Sequence, residues 1–226
     1  MYYKIQTIKK INDLLIGKPK APGLALQREL GLLCISGKGC LNMSYLVAIS
    51  GSPSAESRSS TLTSYLQREA ENKGVQVEEV SVLDFDPEVL IHGKYDHPSI
   101  LEFTDKLKGA NGVIIVSPVY KASYSGALKT LLDLLPQDIL KNKPVFPLMV
   151  GGSGAHLLAI DYSLKPLLAA LGAQTILKGV YLLDKYVDKA DFENPINELE
   201  VQSRVTLQFN QLLEIASNLR SAAKSN

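Results

Sequence analysis

Three short apolar runs restrict this chain more than any other feature: YLVAIS at 45–50, GVIIVS at 112–117 and PVFPLMV at 144–150. A strand with one face in water alternates apolar and polar residues; a strand covered on both faces does not. Each run is followed by a loop and then by apolar residues at helical spacing. Thr61–Lys73 carries Leu62, Tyr65, Leu66 and Ala70 and stops at Gly74. Tyr124–Leu135 stops at Pro136, and Ala155–Leu171 stops at Gly172.

Two further strands complete the pattern. VQVEEVSV (75–82) alternates roughly by two, with a slip at Glu78–Glu79, and reads as a strand near an edge. AQTILKGVYLL (173–183) reads as a fifth strand. Pro147 inside the fourth run is unusual, because proline cannot donate to a ladder. Pro98–Lys108 begins with proline in a first helical turn, Ile196–Leu219 reads as a long last helix, and Asp84–Asp96 reads as a polar connector. Strands alternating with helices imply parallel pairing through right-handed crossovers. The expected fold class is α/β, a doubly wound five-stranded parallel sheet of order 2-1-3-4-5. Ligands of such sheets sit beyond the carboxyl ends of the strands, between strands 1 and 3.

Composition narrows the partners. A net charge of +1 over 226 residues makes no case for nucleic acid or a membrane surface. No run reaches the roughly 20 apolar residues of a membrane helix. Residues 1–43 hold seven Lys/Arg against two acidic residues, and the remainder holds 17 against 21. We therefore expect 1–43 to be a basic extension outside the fold and 44–226 to be the domain. A partner-binding or targeting arm is the alternative for the extension. The two cysteines, Cys34 and Cys40, both lie in the extension and lack the spacing of a zinc site, so a reducing cytoplasm is the expected compartment.

Three loops follow strands 1, 3 and 4. The first, GSPSAESRSST (51–61), sets six hydroxyls and Arg58 before a helix start. Helix N-terminal N–H groups attract anions, hydroxyls add neutral donors, and a guanidinium adds a fork suited to phosphate. The loop matches neither the P-loop nor the dinucleotide fingerprint, so a phosphate monoester fits it better. Ordinary helix capping is the competing explanation. The second loop, SPVYKASYSGALK (117–129), offers the ring of Tyr120, extended backbone at Pro118 and Val119, and Gly126 for close approach. The third, GGSGAH (151–156), offers bare backbone beside His156. No hydrolytic triad, carboxylate pair or metal cluster accompanies them. A phosphate seat, a stacking face and exposed backbone around one crevice together describe a site for flavin mononucleotide (FMN), whose hydride chemistry is its own.

The stretches VAISGSPS…SRSS, SPVYKASYSGALKTLLDLLP and GGSGAHLLAIDYSLKP resemble the flavodoxin-like NAD(P)H-dependent FMN reductases, most of all the branch serving alkanesulfonate utilisation. The resemblance covers roughly residues 46–183. It implies that Ser52, Arg58, Ser59, Ser60 and Thr61 hold the phosphate. It also implies that Pro118, Val119, Tyr120 and Lys121 meet the ring, and that Gly151, Gly152 and Ser153 line its far edge. FMN is implied as an exchanging substrate reduced by NADPH or NADH, with reduced FMN passing to a partner monooxygenase in sulfonate or sulfur assimilation. A homodimer or homotetramer is implied as well. Relatives of the azo- and quinone-reductase type usually read P-E-Y-N where this chain reads Pro118-Val119-Tyr120-Lys121. A tightly FMN-bound quinone or azo reductase, or a flavodoxin-like electron carrier, is the alternative.

One helix looks irregular. Leu157, Leu158 and Ile160 fit one apolar face and Leu164, Leu167, Leu168 and Leu171 another, with Tyr162 awkward between them and Pro166 removing an N–H. One extra residue absorbed as a π-bulge would reconcile the faces. The resemblance implies that Tyr162 is such an insertion, at a subunit interface near the flavin.

Overall fold

The computed structural model describes residues 44–224. The expectations for 1–43, Cys34 and Cys40 included, lie outside the described residues. Along the chain run β1 (Tyr45–Ser50), α1 (Arg58–Glu71), β2 (Gln76–Ser81), α2 (Pro87–Ile91), α3 (Pro98–Gly109), β3 (Gly112–Pro118), α4 (Gly126–Leu132), β4 (Pro144–Gly151), a π-helical turn (Ile160–Leu164), α5 (Lys165–Ala170), β5 (Thr175–Ile176), β6 (Val180–Leu183) and α6 (Leu199–Lys224). All strand pairs are parallel, in the order β2-β1-β3-β4, with β5 and β6 both on the far side of β4. This is the doubly wound, flavodoxin-like order expected.

Alternation along the buried strands assigns the faces. Val47, Ile49, Val113, Ile115, Val145 and Met149 join one apolar cluster with Phe103, Leu107, Leu131 and Leu168. Leu46, Ala48, Ile114, Val116, Phe146 and Leu148 join the other with Leu62, Leu66, Val205 and Phe209. Helices α3, α4 and α5 thus cover one face and α1 and α6 the other. β2 is the edge strand, and it carries the half-buried Glu78 and Glu79 where the alternation slips.

The fifth strand departs from expectation because it is broken in two. β5 pairs with Pro144 and Val145, and β6 pairs with Leu148–Gly151. The break at Leu177–Gly179 therefore lies opposite Phe146–Pro147. Proline has no N–H for a neighbour to accept, so the ladder lapses there. Gly179 passes the spot at φ 78°, and a Cβ on it would sit 2.7 Å from the Pro147 carbonyl oxygen. Only glycine fits that passage. The odd residue of strand 4 and the gap in strand 5 are one feature.

Two other differences are local. The connector at 84–96 contains α2, capped by Asp86 Oδ1, which accepts from the Glu88 N–H at 2.8 Å, with Pro87 in the first turn. The expected helix 155–171 is a 3₁₀ turn at Gly154–His156, then the π turn, then α5. The π turn stands where the two apolar faces conflict. The Lys165 N–H donates to the Ile160 carbonyl five residues back. The added residue lets Ile160 and Leu164 both be buried and leaves Tyr162 80% exposed.

Candidate functional site

A cleft of about 200 Å³ opens beyond the carboxyl ends of β1, β3 and β4. Of the residues expected at a site, Ser52, Arg58, Ser59, Pro118, Val119, Tyr120, Gly151 and Gly152 line it together. Ser60, Thr61, Lys121 and Ser153 do not.

The 51–61 side begins with a helix cap. Ser57 is the N-cap of α1: its Oγ accepts from the Ser60 N–H at 3.1 Å, and the Ser60 Oγ accepts from the Ser57 N–H at 3.1 Å. The Ser60 hydroxyl also faces the Ala55 and Ser57 carbonyls, each at 2.8 Å, and Thr61 Oγ1 donates to the Ser57 carbonyl at 3.1 Å. Both side chains are therefore engaged in the cap. Ser59 differs. Its Oγ is buried and has no hydrogen-bond partner, although the residue borders the cleft. Buried hydroxyls ordinarily find partners, so an orphan one on a residue that lines a cleft calls for an explanation. The Arg58 and Ser59 backbone N–H groups begin α1 and have no acceptor among the described residues, as the first N–H groups of a helix do not.

Arg58 is partly committed. Its Nε donates to the Asp184 carbonyl at 2.8 Å and to the Val187 carbonyl at 3.1 Å. The Nη1 lies 3.9 Å from Asp184 Oδ2. Arg58 lines the cleft, and its side chain is 37% exposed. Lys189 Nζ donates to the Glu56 carbonyl at 3.3 Å. The segment after β6 is thereby fastened across the 51–61 loop.

On the 117–126 side the backbone carries the design. Tyr120 and Ser123 exchange two backbone hydrogen bonds, 2.9 and 3.1 Å, around Lys121 and Ala122, both at positive φ (50° and 63°). Two consecutive left-handed residues form the tightest reversal a hairpin can take. Lys121 is the first residue of that reversal and does not line the cleft. Tyr120, half exposed, is held at the rim. The loop is anchored by Ser125, fully buried, whose hydroxyl donates to the Gly51 carbonyl and also caps the Leu128 N–H at 3.0 Å. Ser117 Oγ in turn accepts from the Ser125 N–H at 3.0 Å. Serine thus ties the strand-3 loop to the strand-1 loop. A Cβ on Gly126 would meet nothing within 4 Å, and Gly126 does not line this cleft. Gly51 is the tight spot: a Cβ there would lie 2.9 Å from Leu128 Cβ. Lys129 pairs with Asp133 on the helix surface, as a solvated face would.

At the third wall the Val119 N–H donates to the Val150 carbonyl at 2.7 Å, and the Tyr181 hydroxyl donates to the Ser153 carbonyl at 2.6 Å. A Cβ on Gly151 would collide with that hydroxyl and come within 3.1 Å of Val119 Cβ. Burial pushes the Tyr181 pKa up and the Asp184 carboxylate adds to it, so the hydroxyl stays a donor. Ser153 offers its carbonyl to Tyr181 and its Oγ to the Ala155 N–H.

Asp184 and Lys189 complete the cleft, and no motif in the sequence points to them. Both follow the last strand, and the end of that strand is itself a carboxyl edge. That positional rule is the one signal available. Among the described residues no helix is long and apolar enough to cross a membrane.

Comparison with known proteins agrees with this geometry. The family model for NADPH-dependent FMN reductase matches residues 45–188. The FMN reductase (NADPH) of Escherichia coli (strain K12) is 49% identical over 142 residues, 63% of this chain and 74% of that protein. Its counterpart from Pseudomonas putida KT2440 is 47% identical over 150 residues, 66% of this chain and 76% of that one. The crystal structure of an NADH:FMN oxidoreductase in its apo form superposes with a TM-score of 0.64 at 34% identity, covering 80% of this chain and 90% of the other. The chain belongs to the NADPH-dependent FMN reductase family, and it is an NAD(P)H:FMN oxidoreductase with FMN and NAD(P)H as flavin and reductant.

Proposed function

We propose that the cleft beyond β1, β3 and β4 is where this chain binds FMN, and that the reduced flavin is released to a separate flavin-dependent monooxygenase. The observation that carries the reading is the orphan, buried hydroxyl of Ser59, at a helix start with two free N–H groups, on a residue that lines one cleft together with Arg58 and Tyr120. Donors without acceptors, gathered at a helix N-terminus, are what a phosphate monoester supplies partners for. Pro118, Val119 and Tyr120 would hold the ring system, and Gly151 and Gly152 would let its edge approach bare backbone. Bound flavin supplies acceptance of hydride from nicotinamide. The chain's residues hold its phosphate, orient the ring and leave one side open.

Release to a partner is supported by the openness of the ring side, where Tyr120 is the one aromatic lining residue and is half exposed. Sulfonate or sulfur assimilation is the setting the sequence resemblance favours. Leu157 (54%), Leu158 (55%) and Tyr162 (80%) expose apolar surface around the π turn. Such a patch supports assembly into a homodimer or homotetramer with Tyr162 at the contact.

The test is Arg58→Gln assayed with FMN and with riboflavin, which lacks the phosphate. A charge-assisted pair with phosphate is worth about 1.5–3 kcal/mol, so the preference for FMN should fall by about ten- to a hundredfold. An unchanged FMN/riboflavin ratio would remove Arg58 from the phosphate seat.

A further inference from the structure

We infer that Asp184 is an affinity-setting residue: its carboxylate competes with the flavin phosphate for Arg58 and keeps FMN weakly held. The inference rests on the flavin site proposed above. Arg58 spends its Nε on two carbonyls of the 184–187 turn, so only its terminal nitrogens can meet a phosphate. The Asp184 Oδ2 lies 3.9 Å from Nη1. That is too long for a hydrogen bond and close enough for a strong field in a half-enclosed cleft. The same oxygen would be 3.7 Å from a Cβ on Gly152, so the carboxylate stands between the phosphate side and the ring-edge loop. It also adds to the upward pull on the Tyr181 hydroxyl, which donates to the Ser153 carbonyl.

The charge balance points the same way. The cleft is lined by Arg58 and Lys189 against Glu56 and Asp184. Two positive and two negative side chains leave no formal excess to receive a phosphate that brings about −1.5 to −2 at neutral pH. A site built for retention would leave its guanidinium unopposed. Here an incoming phosphate must displace one anion from Arg58 and tolerate its like charge nearby. The carboxylate otherwise stabilises the empty site by screening Arg58.

The experiment compares Asp184→Asn, Asp184→Glu and Arg58→Gln with the unaltered protein, reading the dissociation constants of FMN and riboflavin by flavin fluorescence, with thermal unfolding as a check on folding. Asn keeps the shape and removes the charge. We expect FMN to bind about fivefold tighter to D184N, in keeping with a partly exposed ion pair, with riboflavin unchanged. D184E should keep the original ratio. Equal changes for FMN and riboflavin in D184N would overturn the inference, since they would mean that Asp184 meets the shared ribityl chain or only shapes the cleft. Weaker FMN alone would overturn it too, by making Asp184 a support for Arg58. If R58Q alters the ratio and D184N does not, the inference fails while the flavin site stands. If R58Q leaves the ratio untouched, the site reading fails and the inference with it.

Discussion

The two walls of the cleft use serine in opposite ways. On the 51–61 side Ser57, Ser59 and Ser60 stand at the start of α1, and two of their hydroxyls close on their own loop: Ser57 and Ser60 cap each other. One hydroxyl, that of Ser59, is left over and buried. On the 117–126 side the serines are struts. Ser117 and Ser125 are fully buried and link the loop to β1, while the loop presents backbone and Tyr120 to the cleft. A count of hydroxyls therefore says little about ligand binding. What matters is which of them the local backbone leaves unused.

The largest effect expected from this contrast is in Ser125→Ala. The change removes a helix N-cap and strands the Gly51 carbonyl, each worth about 1–2 kcal/mol. Denaturant unfolding should show a loss of about 2–3 kcal/mol, with FMN and riboflavin binding both weakened. A loss under about 0.5 kcal/mol would mean that the strut carries nothing.

Ser59→Ala should behave in the reverse way. Removing an unpartnered buried hydroxyl costs little, so stability should stay within about 0.5 kcal/mol of the parent or rise. FMN affinity should drop about tenfold, the value of one hydrogen bond to a charged group, with riboflavin unaffected. A clear stability loss without any change in FMN binding would erase the difference between the walls.

The smallest effect is expected far from both. On β2 Glu78 accepts from the Tyr45 hydroxyl at 2.6 Å and pairs with Lys106 at 2.8 Å. Burial acts to raise its pKa, but the hydrogen bonds from Lys106 and Tyr45 outweigh it and the net shift is downward. A depressed carboxyl pKa contributes stability above the unfolded value, near 4.5, and loses it as pH falls through the folded value. Glu78→Gln should cost about 0.5–1 kcal/mol at pH 7 and flatten the acid limb of a stability–pH curve, leaving FMN binding intact. Next to it Glu79 has the opposite sign: burial raises its pKa, so its contribution is lost as pH rises through the folded value. With Glu78 removed, that opposing slope should become visible.

Much of the fold and part of the site are legible in the order of residues. β1 and the start of β3 follow from apolar runs, because a strand covered on both faces tolerates no polar alternation. The π turn is legible because two apolar faces with incompatible phase cannot both be buried by a regular helix. Tyr120 and the glycine pair are legible as unusual residues at strand ends. The fate of Ser60, Thr61, Lys121 and Ser153 is not. Whether a hydroxyl caps its own helix or faces a cleft differs by one rotamer of nearly equal local energy.

The order of apolar and polar residues determined by itself that this chain forms a parallel sheet with its loops gathered at one edge, since burial on two faces is a property of composition along a few residues. Tertiary structure alone decided that the segment after the last strand reaches across to Arg58 and brings Asp184 with it. Contacts between residues 126 and 129 positions apart leave no local periodicity to read, because nothing in either segment depends on the other until the chain has folded.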